Sequence, residues 1–176
     1  MAFYGFADGA WFHTLNLALA AWVLYSPADD LVNSGAVCIG PTTNNIVEYQ
    51  VVIGLLTESA SKDVHNLVVL MELQLVVCHL NHVYTIRNIV LLRLFRRVRL
   101  LERSFETITY RHTPREHNVV VDSLANYILD WNMARSWHEN QTWFIVNKQL
   151  KTHKTHVKYI HHLRHINTKV EVCIYI

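Results

Sequence analysis

Four acidic residues from four separate parts of the chain, Asp8, Glu48, Glu72 and Asp122, carry the clearest chemistry in the sequence. Asp8 closes the apolar run Phe3-Tyr4-Gly5-Phe6-Ala7 and is followed by Gly9. Glu48 follows Thr42-Thr43-Asn44-Asn45 at the start of a helical pattern. Glu72 follows the apolar run Asn66–Met71, and Asp122 follows Val119-Val120-Val121. A single acidic residue is normally a solvated surface charge. Asp8 and Glu72 depart from that expectation because each terminates an apolar strand; Asp122 alone would read as a first-turn helix acid favoured by the dipole. Carboxylates that converge from distant segments suit hard cations such as Mg²⁺, which take oxygen ligands.

Several elements have to bring these side chains together. Ala2–Ala7, Leu17–Tyr25 and Leu31–Ile39 read as strands from their apolar, aromatic and β-branched content. The turn cluster Ser26-Pro27-Ala28-Asp29-Asp30 and the short connections favour an antiparallel meander. Gly35 marks a potential bulge. A helix over Asn44–Ser61 follows, with Thr43 or Asn44 as its cap and Val47, Val51 and Leu55 at helical spacing. Asn66–Met71 reads as a buried strand, Leu73–Leu80 as a short helix, and Ile89–Glu102 as a longer one with a stripe of Val90, Leu94, Val98 and Leu101. Thr107–Arg111 is a strand ended by Pro114, and Asn118–Trp131 reads as a last helix. This order describes an α/β sandwich with a mixed five-stranded sheet.

The chain resembles ribonuclease H, most closely the ribonuclease H-like domains of retroelements. The resemblance rests on Asp8-Gly9-Ala10, on Thr42-Thr43-Asn44-Asn45 with Glu48-Tyr49, on Gln74-Leu75-Val76-Val77 with Leu80-Asn81, and on His112, Pro114-Arg115-Glu116, Asn118, Asp122 and Leu124-Ala125-Asn126. These segments occur in the family's order and at its approximate spacing over residues 3–132. The resemblance implies three antiparallel strands followed by two parallel ones, with helices on both faces of the sheet. It implies hydrolysis of the RNA strand of RNA–DNA hybrids with two Mg²⁺ ions, or Mn²⁺, held by Asp8, Glu48, Glu72 and Asp122. Asp8 would contact both ions, Glu48 and Glu72 one, and Asp122 the other. His112 stands near the family's histidine for proton transfer or product release, against the plainer reading of a strand-end histidine. Asn44, Asn45 and Gln74 stand where the family contacts the hybrid's minor groove, and amides can read 2′-hydroxyls. Arg96 and Arg97, in an arginine-rich helix, stand where related enzymes hold the DNA strand's phosphates; an ordinary amphipathic surface helix looks similar.

Two departures from the family pattern bear on catalysis. The family usually carries Asp-Ser where this chain has Glu72-Leu73. The extra methylene displaces the carboxylate by roughly 1 Å, and a misplacement of that size can cost on the order of 10²-fold in rate. Where a Gly- and Pro-rich stretch is common, this chain has Ala10-Trp11-Phe12-His13-Thr14-Leu15, which reads as a bulky loop beside the site. These features support a second reading, in which the fold persists as a nucleic-acid-binding or ribonucleoprotein assembly component with weakened cleavage.

Composition sets outer bounds. The 176 residues are 51% hydrophobic and 17% charged, enough for a sizeable core. Residues 1–132 hold 9 Lys and Arg against 12 Asp and Glu, whereas residues 133–176 hold 7 against 2. The division expected is therefore a slightly acidic domain over 1–132 and a basic, histidine-rich extension over 133–176. That extension, or apolar surface, offers a place for a protein partner. No apolar run is long enough for a membrane span. Cys38, Cys78 and Cys173 are odd in number and widely spaced, as expected of reduced thiols in an intracellular protein.

Overall fold

The computed structural model describes residues 1–12, 17–117, 145–146 and 172–173. Its elements are β1 (Phe3–Phe12), β2 (Leu17–Tyr25), β3 (Leu31–Ile39), α1 (Asn44–Ser61), β4 (Asn66–Met71), α2 (Gln74–Leu80), α3 (Ile89–Leu101), β5 (Thr107–His112), β6 (Ile145–Val146) and β7 (Val172–Cys173). The expected helix over 118–131, and with it Asp122, lies outside the described residues.

Five strands form one sheet in the order β3-β2-β1-β4-β5. β1, β2 and β3 pair antiparallel, and β4 pairs parallel with both β1 and β5. The mixed sheet expected from the sequence is therefore present. α1 packs across β1, β2 and β3, and α3 packs along α1. The core between them includes Trp22, Leu24, Val47, Tyr49, Leu55, Leu56, Leu67, Met71 and Val98. Among the described residues no helix is long and apolar enough to cross a membrane.

Several local readings need correction. β1 does not stop at Ala7: it runs on to Phe12, because its antiparallel pairing with β2 continues through Asp8↔Ala21 to Phe12↔Leu17. Much of the expected bulky loop is therefore strand. Gly35 does not mark a bulge; it pairs with Trp22, and the register shift lies at Leu24/Tyr25. Gly35 serves packing instead, since a Cβ there would run into the Trp22 indole at Cζ2. The Trp22 ring also lies over Gly54 of α1, where a Cβ would be 2.6 Å from Cζ3. The indole thus brings helix and sheet into close approach through two missing side chains. Thr43 is the N-cap of α1, but its side chain makes no capping bond, and Asn44 is already helical.

The buried stripe of α3 also differs from the expected one. Leu91 and Val98 are buried, Leu94, Phe95 and Leu101 pack partly against the core, and Val90 is exposed. Leu94, Val98 and Leu101 of the expected stripe therefore face the core, with Leu91 in place of Val90. Asn88 caps it, accepting from the backbone N–H groups of Val90 at 2.8 Å and Leu91 at 3.2 Å.

Candidate active site

The parallel pairing of β1 with β4 ends at Ala7↔Met71. Asp8, still within β1, and Glu72, the first residue past β4, come next, side by side where the ladder ends. The β4–β5 pairing ends at Met71↔His112, and the Thr113 N–H donates to the Met71 carbonyl at 2.8 Å. His112, Met71 and Ala7 thus form one row across three strands. The carboxyl ends of parallel strands are where open α/β sheets usually bind ligands.

α1 supplies the third acid. Glu48 is one turn into the helix and only 4% exposed, and Asp8 is 6% exposed. The Gly9 N–H donates to Glu48 Oε1 at 3.2 Å. A Cβ on Gly9 would stand 2.6 Å from Val47 Cγ1 and 3.3 Å from Glu48 Oε1. The glycine after Asp8 is therefore what lets α1 lie close enough for that bond. Glu48 Oε2 is buried with no hydrogen-bond partner among the described residues.

The Glu48 carboxyl is raised to about 8, chiefly by burial and next by the Asp8 charge; the Gly9 N–H opposes this, and Glu72 adds a smaller push upward. Three acids from β1, α1 and the end of β4 therefore share one electrostatic neighbourhood. Among the described residues, however, no three His, Cys, Asp or Glu side chains stand close enough together to hold a metal ion. The donors are all carboxylate oxygens, and one of them is a buried atom without a hydrogen-bond partner among the described residues. That set fits a hard divalent cation better than a soft one.

The other expected site residues are distributed as follows. Asn44 is exposed and Asn45 half-buried on the first turn of α1, ahead of Glu48. Gln74 is exposed at the start of α2, two residues after Glu72. His112 is exposed at the end of β5. Arg96 and Arg97 are exposed on α3.

A residue that sequence reading did not separate from its neighbours is Arg99. Its Nη1 donates to both carboxylate oxygens of Glu102, at 2.9 and 2.7 Å. Its Nη2 reaches the Leu80 carbonyl at the end of α2 and lies 2.6 Å from His82 Nε2. The guanidinium also covers the Phe95 ring, 4.7 Å from its centroid. Tyr110 of β5 donates to Glu102 Oε1 at 2.7 Å. Arg99 is thus a structural joint among α2, α3 and β5, whereas Arg96 and Arg97 stay exposed.

The comparisons with known proteins agree with this geometry. The family profile described as reverse transcriptase-like matches residues 6–128. Ribonuclease HI of Halobacterium salinarum is 32% identical over 127 residues, which is 72% of this chain. The chain belongs to the ribonuclease H family. It spans 64% of the length of that curated relative. The crystal structure of RNase H1 from Halobacterium salinarum superposes with a TM-score of 0.69 at 31% identity, covering 74% of this chain and 98% of that one. The N-terminal RNase H domain of a Mycobacterium tuberculosis protein, solved as a maltose-binding-protein fusion, gives 0.68 at 27% identity, covering 72% and 97%. The ribonuclease H match ends before the basic extension, so β6 and β7 are additions outside the matched region.

Proposed function

We propose that this chain hydrolyses the RNA strand of RNA–DNA hybrids. The observation that carries the reading is the electrostatic proximity of Asp8, Glu48 and Glu72 where the β1–β4 ladder ends, in a chain of this family. Asp8, Glu48, Glu72 and Asp122 would hold divalent cations, Mg²⁺ or Mn²⁺, which when bound supply an activated water and stabilisation of the leaving oxygen. Glu48 must give up its proton to serve, and a neighbouring cation favours that loss by reversing the local charge balance. The Gly9 N–H holds the Glu48 carboxylate in orientation. Asn44, Asn45 and Gln74 stand at helix starts beside the acids, where their amides would bond 2′-hydroxyls and so select RNA over DNA. His112 lies at the end of the adjacent strand and would assist proton transfer or product release. Arg96 and Arg97 would hold the DNA strand through phosphate contacts, which weaken as salt rises.

The Glu72-Leu73 pair favours a second reading, a nucleic-acid-binding domain with weakened cleavage, because the longer side chain changes the carboxylate's reach. Cleavage of a labelled hybrid in Mg²⁺ and in Mn²⁺, with Asp8→Asn alongside, separates the two. The expected result is RNA-strand cleavage that falls by more than about 10²-fold in Asp8→Asn, since even a 1 Å misplacement at such a site costs that much. Tight hybrid binding with no cleavage in either metal would overturn the first reading and leave the second.

A further inference from the structure

β3 forms one end of the five-stranded sheet. Its sequence, Leu31-Val32-Asn33-Ser34-Gly35-Ala36-Val37-Cys38-Ile39, has no charged residue and no proline. Edge strands usually carry charge, proline or a bulge that deters another strand from pairing. The register shift against β2 lies at Leu24/Tyr25, opposite the start of β3, so most of the edge is regular. A nine-residue regular edge of this composition invites strand addition.

The structure places a segment of the same chain there. β6 lies against β3, and β6 pairs antiparallel with β7 through Ile145↔Cys173 and Val146↔Val172. Among the described residues this two-stranded ribbon is a sheet of its own, beside β3 but outside the five-stranded ladder. Both strands belong to the extension beyond residue 128, where the family match ends. The other end of the sheet differs: β5 carries Arg111 and His112 and has the polar, exposed positions Thr107 and Thr109. The uncharged edge is the one that the added ribbon approaches.

We propose that the β6–β7 ribbon is an edge guard, which covers β3 and keeps a second copy of the chain from adding a strand there. This role is independent of whether the acidic site cleaves anything.

Hydrogen exchange on the full chain tests it. Proline has no N–H and breaks strand pairing, so the double variant Val146→Pro, Val172→Pro removes the ribbon and leaves the sheet sequence untouched. The expected result is exchange in the 31–39 peptide faster by about tenfold or more, with the α1 and β4 peptides unchanged. Light scattering should then show a monomeric parent and a self-associating variant. An unchanged 31–39 peptide would overturn the proposal. Acceleration shared equally by α1 and β4 would also overturn it, because the ribbon would then act on the whole domain. A parent that self-associates, with 31–39 protected only at high concentration, would make a second copy the true occupant of the edge.

Discussion

Two polar clusters lie at different places in the fold, and they are built on opposite terms. Where the β1–β4 ladder ends, acids gather, and Glu48 keeps one oxygen without a hydrogen-bond partner among the described residues. At the joint of α2, α3 and β5, opposite charges meet: Arg99 is bonded to Glu102 and Leu80, and Glu102 also receives Tyr110. The second cluster satisfies most of its own groups and holds elements together. The first is held together by the fold in spite of its electrostatics, which is the usual mark of a site that stores instability for function. Removing a member should therefore stabilise the first cluster and destabilise the second.

Glu48→Gln tests that contrast most strongly. The folded Glu48 holds its proton to about pH 8, whereas the unfolded chain releases it near 4.5. Between those values the unfolded state is the more ionised, so stability falls as pH rises through the window. Below it both states are protonated, and above it the penalty is constant. Glu48→Gln should match the parent near pH 4 and exceed it at pH 8 by an amount on the order of a few kcal/mol in chemical denaturation. The same variant should lose hybrid cleavage, so that stability and activity move in opposite directions.

Glu72→Asp sharpens the same side. Shortening the side chain should raise cleavage in Mg²⁺ by up to about 10²-fold, with little change in melting temperature. A fall in rate would show that the surrounding backbone has adapted to glutamate.

At the satisfied cluster the sign reverses. Arg99→Met strips Glu102 of its cation and leaves the Leu80 carbonyl without that donor. Denaturant titration should show a loss of about 1.5–3 kcal/mol, the range for hydrogen bonds to charged groups. Arg96→Met and Arg97→Met, on the exposed face, should leave stability unchanged and weaken hybrid binding.

The smallest effect belongs to His79, which packs beside Tyr49 with a ring-centroid distance of 6.3 Å. Burial holds its imidazole below the ordinary value, and Nδ1 has no partner among the described residues. As pH falls through the unfolded value of 6.5, the unfolded chain takes up the proton first and stability declines. His79→Leu should flatten that acid-side slope in thermal melts taken from pH 7.5 to 5.5.

The sequence makes elements legible where punctuation is strong. Asn44–Ser61 and Asn66–Met71 have the bounds expected of them, because Gly40-Pro41 and the polar Ser61–His65 stretch mark clear breaks. β1 was misjudged because Asp8-Gly9 resembles a strand end, and only pairing with β2 carries the strand past it. In α3 only the first stripe position differs, Leu91 in place of Val90, because leucine, valine and arginine interleave there and the two are equally plausible by period. The acids were legible because each stands beside a distinctive local context. Arg99 was not, since six arginines of similar spacing differ only in what other segments place beside them.

The ladder between β1 and β4 has a consequence for how this pocket can change. Asp8 and Glu72 hang from neighbouring rails whose alignment is locked by Phe3↔Leu67 through Ala7↔Met71. Sliding one rail by a single step would turn its whole row of side chains over, trading core for solvent. Gradual adjustment of the gap by moving backbone is thus closed to mutation. Swapping aspartate for glutamate, a change of one carbon, is the finest tuning that such scaffolding allows.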